Sequence, residues 1–187
     1  MAKKIITNLK HFQYFYPYTV ALVGAKSGHK INFMSCAWHS ALSFNPPLFG
    51  VLLSKKRLTH SIISEAREFS VNFLSYDQAK ISAIMGRKSG REVDKIKLSG
   101  LHLLEPKNIQ SPLIAEAYVA FECRLEEIHP FGDHDLFVGQ ILAVHVDSEG
   151  FNQEGVLEVQ RIRPLCYLGS DCYVTIDPES FKRVLPD

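Results

Sequence analysis

Apolar and polar positions along this chain form blocks whose period changes several times. Tyr18 to Gly24 (Y-T-V-A-L-V-G) is a β-branched, apolar run ending at glycine, as expected of a buried strand. Lys26-Ser27-Gly28-His29 supplies turn chemistry before Lys30 to Met34 resumes an extended pattern. Ala37 to Phe44 alternates loosely, Asn45-Pro46-Pro47 interrupts it, and Leu48 to Leu53 reads as another apolar strand. Thr59 is placed to cap a helix whose apolar positions are Ile62, Ile63 and Ala66. Period 2 returns at Phe69 to Leu74 (F-S-V-N-F-L).

The middle of the chain differs in character. Asp77 is positioned to cap a short helix running through Ile81, Ile84 and Met85, and Gly86 to Lys97 is polar and locally basic. Ala117 to Ile128 and Leu136 to Val146 are long strand candidates, and the Pro130–Asp135 connection predicts a hairpin between them. Short apolar runs broken by Pro164 and Gly169 fill Glu158 to Ile176. About six or seven strands joined by short polar links, with helices inserted twice, predict a mainly β (α+β) fold: an antiparallel barrel with peripheral helices. With no internal repeat or hinge-like linker in view, residues 1–187 are expected to form a single domain.

Composition narrows the class of protein. A chain of 187 residues that is 46% hydrophobic can bury a core without a metal or disulfide staple. A formal net charge of +1 argues against nucleic acid as a partner. No apolar run approaches the roughly 20 residues that span a bilayer, so no membrane partner is expected. The N-terminus meets Asn8, Lys10 and His11 before any signal-peptide core could form. The expected location is cytoplasmic. Cys36, Cys123, Cys166 and Cys172 contain no C-x-x-C pair and read as free buried thiols.

The common nucleotide and hydrolase signatures are missing: no P-loop, no G-x-G-x-x-G and no G-x-S-x-G. His129, Asp133, His134 and Asp135 cluster in sequence as metal ligands do, but adjacent His134 and Asp135 on a strand point to opposite faces, and no metal site is assigned. More informative is Asn32-Phe33-Met34-Ser35-Cys36-Ala37-Trp38, where small side chains following a strand stand beside the only tryptophan. Taken alone, this segment also suits a strand whose Trp fills the core. Small side chains let a flat ligand approach the backbone, and an indole covers a ring face. Lys55-Lys56-Arg57-Leu58-Thr59 at a helix start suits an anion, and the basic stretch Arg87 to Lys97 adds a second cationic arm. Together these segments describe a site for a planar, phosphorylated ligand.

In its ordered motifs the chain resembles the flavin reductase-like, FMN-binding split-barrel family, and within it the flavoredoxin-like members. The motifs run from Tyr16-Pro17 through N-x-M-S-x-A-W (Asn32–Trp38), S-x-x-P-P (Ser43–Pro47) and R-x-T (Arg57–Thr59) to F-S-V-N (Phe69–Asn72). They continue with Asp94-Lys95, D-H-x-L-F-V-G (Asp133–Gly139) and P-L-x-Y-L-G (Pro164–Gly169). The resemblance implies a split β-barrel with FMN as cofactor, held by Asn32, Trp38, Thr59, Lys95 and His134, with Tyr167 closing one face. It also implies that backbone groups of Met34, Ser35, Cys36 and Ala37, and of Leu52, Ser54 and Lys55, line the pocket. The family's members are homodimers with the flavin near the subunit interface. Relatives that reduce ferric chelates carry a cysteine on the strand that here reads Leu48–Ser54, so an iron site is not implied.

The expected function is electron transfer from NAD(P)H through bound FMN to an acceptor. Three alternatives stay open on sequence alone: an FMN carrier served by a redox protein partner, a non-enzymatic flavin-binding module, and a metal-dependent enzyme using His129 and His134. Cys36 reads either as a redox-active thiol or as a small packing residue.

Overall fold

The computed structural model describes residues 2–184 and 186. The strands are β1 (Tyr18–Thr19), β2 (Ala21–Ser27), β3 (Lys30–Cys36), β4 (His39–Phe44), β5 (Pro47–Ser54), β6 (Glu68–Phe73), β7 (Leu103–Leu104), β8 (Leu113–Ile114), β9 (Val119–Phe131), β10 (His134–Val146), β11 (Cys166–Gly169) and β12 (Cys172–Val174). Three helices intervene: α1 (Leu58–Ala66), α2 (Ala79–Arg87) and α3 (Lys95–Ser99). The principal sheet is antiparallel, in the order β3-β2-β6-β9-β10-β5-β4. It curls on itself, so that inward side chains of β2, β5, β6, β9 and β10 share one core with Ile62 and Ile63 of α1. The Leu52 amide donates to the Trp38 carbonyl (2.9 Å), tying the β3–β4 link back to β5. This is the antiparallel barrel with peripheral helices that the strand pattern predicts, and the split barrel that the resemblance implies.

The continuous apolar run of β2 has a simple cause. Ala21, Val23 and Ala25 enter the barrel core, while Leu22 faces a second cluster with Phe33, Leu74, Met85, Leu101 and Ile114. A strand covered on both faces gains nothing from polar alternation. Neighbouring β6 solves the same problem differently. Ser70 and Asn72 lie beneath the 105–114 segment, fully buried and fully bonded. Ser70 Oγ donates to the Pro112 carbonyl (2.7 Å), and Asn72 takes the Ile114 amide (2.9 Å) while donating to the Leu22 carbonyl (3.0 Å).

Several expectations are corrected by these elements. Thr59 is not the cap of α1: Arg57 stands there in extended backbone, and Thr59 is already helical and wholly buried. Asp77 does not cap α2. It sits within a 3-10 turn (Tyr76–Gln78) and pairs with Arg163, while the Ser75 amide donates to the Gln78 carboxamide (3.1 Å). The β9–β10 hairpin is tighter than the expected Pro130–Asp135 link, because Phe131 pairs with His134 and leaves only Gly132-Asp133 to turn. The tail resolves into β11 and β12, which form a small separate sheet in the order β1-β11-β12. Among the described residues, no helix is long and apolar enough to cross a membrane.

Two carboxylates pin the long 105–112 segment to the barrel. Glu68 accepts from the Gln110 and Ser111 amides (2.6 and 2.8 Å). Glu122, fully buried on β9, accepts from the Lys107 and Asn108 amides (2.9 and 2.6 Å) and from His145 (2.6 Å). Burial raises the Glu122 pKa, but the Lys107, His145 and Asn108 hydrogen bonds together outweigh it and hold the carboxyl below its usual range. A carboxylate with a lowered folded pKa stabilises the fold above its unfolded pKa, and that gain disappears as pH falls through the folded value. Glu122→Gln turns an amide toward donors and is expected to cost about 1–3 kcal/mol at neutral pH. Thermal unfolding of both proteins should show the gap closing as the pH is lowered through the carboxylate range.

Candidate functional site

Asn32 and Thr59 meet where β3 passes the start of α1. The Asn32 carboxamide nitrogen donates to the Thr59 hydroxyl oxygen at 2.7 Å, and both side chains are buried. With its oxygen occupied as an acceptor, the Thr59 hydroxyl is left to donate its own proton. No side chain caps α1 and no acidic residue stands in its first turn, so its leading amides are not claimed by a protein carboxylate. Gly90 completes the corner: a Cβ there would collide with the Asn32 carboxamide oxygen. Arg91 donates to the Lys56 carbonyl (3.0 Å), fastening the α2–α3 link to the β5–α1 loop.

These elements enclose a small cleft of about 90 Å³ lined by Asn32, Thr59, Met34 and the cations Lys56, Arg57, Arg87, Lys88, Arg91 and Lys95. Among the described residues, no carboxylate lines it. Lys95 is buried, and its ammonium donates to the Met85 carbonyl (3.0 Å). Burial and the nearby Arg57 charge lower its pKa to about 8. Such a corner, with a hydroxyl donor, open helix amides and an excess of positive charge, fits a phosphate.

Arg57 and Arg87 also line the adjoining chamber of about 220 Å³, together with Val20, Ser35, Ala37, Ser82, Ala83, Gly86, Tyr167 and Tyr173. Its floor is made of small side chains, with Ser35 Oγ donating to the Ser82 carbonyl (2.6 Å) to hold α2 against β3. Tyr167 and Tyr173 stand on paired strands with ring centroids 5.4 Å apart. Beyond Ala37 and Tyr167 the space opens into a chamber of about 640 Å³ lined by Trp38, Tyr14, Tyr16 and Tyr18. The residues preceding β1 form its outer wall, with Phe12 against Trp38 (6.2 Å). Trp38 is half-buried, and its indole lies 4.9 Å from the His134 ring. The groove therefore runs from a cationic corner through a small-residue floor to an aromatic mouth, which suits a planar ring system carrying a phosphate tail.

Most residues named from sequence converge on this groove. Asn32, Met34, Thr59 and Lys95 line the cationic corner, Ser35, Ala37 and Tyr167 the chamber, and Trp38 the mouth. Leu52 lies beside Trp38 in an apolar hollow, and the His134 ring lies against the indole, bonded to Asp133 (2.8 Å). Three have side chains placed elsewhere. Cys36 is buried behind the floor with its thiol on the Trp38 and Leu52 carbonyls (3.2 and 3.7 Å). Ser54 lines none of these clefts: it pairs with His134 in the sheet and accepts the Arg57 amide (2.9 Å). Lys55 turns toward Asp135 (3.4 Å), which also takes His60 (2.8 Å). Asp135 and His134 thus point to opposite faces.

Sequence reasoning missed Arg57, Arg87 and Tyr173 as lining residues. A cation run marks its members as charged but not which of them faces inward. Burial pushes the Cys36 thiol up to about 12, so it packs as a neutral group rather than acting as a thiolate. At pH 8 in the native state, iodoacetamide is expected to modify exposed Cys172 and to spare Cys36 and Cys123, with all four cysteines reacting after denaturation. Peptide mass spectrometry reads this directly. Rapid native labelling of Cys36 would contradict its placement.

Residues 13–174 match the family model described as the flavin reductase-like domain. An FMN-binding protein from Thermus thermophilus, solved with bound 1-cyclohex-2-enone, is 34% identical with a TM-score of 0.86, covering 98% of this chain and 99% of that one. Flavoredoxin from Methanosarcina acetivorans is 31% identical with a TM-score of 0.84, covering 98% and 95%. The FMN reductase (NADH) SmoA of Agrobacterium fabrum is 31% identical over 131 residues, 70% of this chain and 63% of that protein. With its fold, its groove and its sequence in agreement, the chain belongs to the flavin reductase-like family.

Proposed function

We propose that this protein binds FMN in the groove and passes electrons from NAD(P)H through it to an acceptor. The observation that carries the reading is the buried Asn32–Thr59 pair at the uncapped start of α1, opening on a cationic corner continuous with a small-residue chamber. FMN, when bound, supplies two-electron chemistry at its ring. The chain's own residues supply position and field. Thr59 and the first amides of α1 meet the phosphate, with Lys95, Arg57 and Arg87 offsetting its charge. Ser35 and Ala37 let the ring lie close to the backbone. Trp38 and Tyr167 flank the mouth, where a nicotinamide or a small conjugated carbonyl compound can stack. Asp133 holds the His134 imidazole beside the indole, leaving its Nε2 for the ligand's polar edge.

A second copy of the chain is the proposed partner. Leu42 and Phe44 of β4 are exposed, as are Val144 and Val146 of β10 where it runs past the β4–β5 turn. Adjacent exposed apolar side chains of this kind are covered in a homodimer. The likeness to flavoredoxin favours a second reading, in which FMN exchanges electrons with a redox protein and NAD(P)H is not used.

Anaerobic mixing of the FMN-loaded protein with NADH or NADPH separates the two. Bleaching of the flavin absorbance within seconds is expected; an unchanged spectrum with both nucleotides, in a protein that dithionite does bleach, would establish the carrier reading.

Lys95 makes a further expectation. Its lowered pKa leaves part of the population neutral above pH 8 in the free protein, whereas a bound phosphate favours the ammonium. FMN binding in that range should therefore take up protons, and affinity should fall as pH rises from 7.5 to 9.5. Lys95→Met should bind FMN more weakly and lose that pH dependence, as read by quenching of flavin fluorescence. Retention of the wild-type profile would remove Lys95 from the phosphate.

A further inference from the structure

The β11–β12 hairpin carries Tyr167 and Tyr173, two of the aromatic side chains on the ring chamber, yet it belongs to the small sheet rather than to the barrel. Its base is well tied. β11 pairs with β1, the Val20 amide donates to the Leu165 carbonyl, and the Leu165 amide donates to the Leu74 carbonyl (both 3.2 Å). Its tip is held otherwise. Ser170 and Asp171 turn the chain at positive φ (50° and 60°), a conformation that non-glycine residues adopt rarely and aspartate more readily than most. That turn presents the Asp171 carboxylate to Arg87, the last residue of α2. Arg87 Nε lies 2.8 and 2.9 Å from the two carboxylate oxygens, and a terminal guanidinium nitrogen lies 2.7 Å from one of them. Both residues line the ring chamber, and Arg87 also lines the phosphate corner. The pair therefore spans the chamber from the barrel's helical side to the hairpin.

We infer that Asp171 and Arg87 form a latch that holds the tyrosine-bearing hairpin against α2, so that Asp171 is a positioning residue governing how long the flavin ring stays in its chamber. This rests on the proposal that the groove binds FMN. An exposed ion pair contributes modestly, but two-pronged geometry places this one at the upper part of that range. Riboflavin, which lacks the phosphate that Arg87 also faces, isolates the pair's action on the wall of the ring chamber. Raising the ionic strength screens the pair and should weaken the latch.

The test compares wild-type protein with Asp171→Asn, and with the Arg87→Asp/Asp171→Arg exchange, by stopped-flow release of riboflavin and of FMN. Asp171→Asn is expected to release both flavins about two- to five-fold faster. Salt should accelerate riboflavin release from the wild type and not from Asp171→Asn, and the charge exchange should restore slow riboflavin release. In the ligand-free proteins, amide hydrogen exchange at Cys172 to Val174 should be faster in Asp171→Asn and return to wild type in the exchange variant. Two results would overturn the latch while leaving the groove as the flavin site: unchanged release of both ligands, or tighter FMN with unchanged riboflavin, which would make Asp171 a competitor for Arg87. Wild-type protein that binds neither flavin would overturn the reading beneath it.

Discussion

The hydrogen bond between Asn32 and Thr59 is the constraint on which the site depends. It joins a barrel strand to a helix 27 residues later, at a corner that Gly90 alone makes tight enough. Each partner serves the other: the carboxamide fills an acceptor that burial would otherwise leave unmet, and the hydroxyl is turned outward as a donor. A buried polar pair of this kind stabilises the fold only while both members are present. The register of β3 against β2 fixes where Asn32 stands, and the packing of Ile62 and Ile63 into the barrel core fixes Thr59. The Asn32–Thr59 side of the cationic corner is therefore set by the core itself.

Charge is distributed to match. Lys95 is held out of water beside Arg57, an arrangement that costs stability in the free protein because burial and like charge both disfavour its ammonium. Arg87, Lys88 and the three other lining cations stay closer to solvent, where their repulsion is screened. The carboxylates Glu68 and Glu122, the second fully buried, are spent instead on the 105–112 segment, away from the groove.

Much of the fold was legible because the main strands are long and their apolar runs uninterrupted. The Y-T-V-A-L-V-G run announced β2, and the paired stretches around Gly132 announced the β9–β10 hairpin. What escaped is physical in origin. β1, β7, β8, β11 and β12 have two to four residues each, too few to show a period. Thr59 looked like a cap because threonine before an apolar helix usually is one; in the structure it stands in the first turn, with its hydroxyl bonded to Asn32 across the fold. Ordered motifs and small-residue spacing brought Asn32, Ser35, Ala37, Trp38, Lys95 and Tyr167 into view. Arg57 and Arg87 were hidden in basic runs whose members look alike until helix geometry selects those that face inward. Cys36 sits in the right segment, but at the end of β3 its side chain turns into the barrel core, with its thiol on the Trp38 and Leu52 carbonyls.

The wall outside Trp38 is of a different kind from the floor beneath it. Residues 11–16 contribute His11, Phe12, Tyr14 and Tyr16 to the mouth of the groove while standing outside every strand of the barrel. Exchanging one aromatic ring there for another alters neither sheet register nor the barrel's interior packing. The breadth of molecules admitted to the mouth can accordingly drift among descendants of this sequence at little thermodynamic penalty, while the anchoring corner, built into the interior, stays as it is.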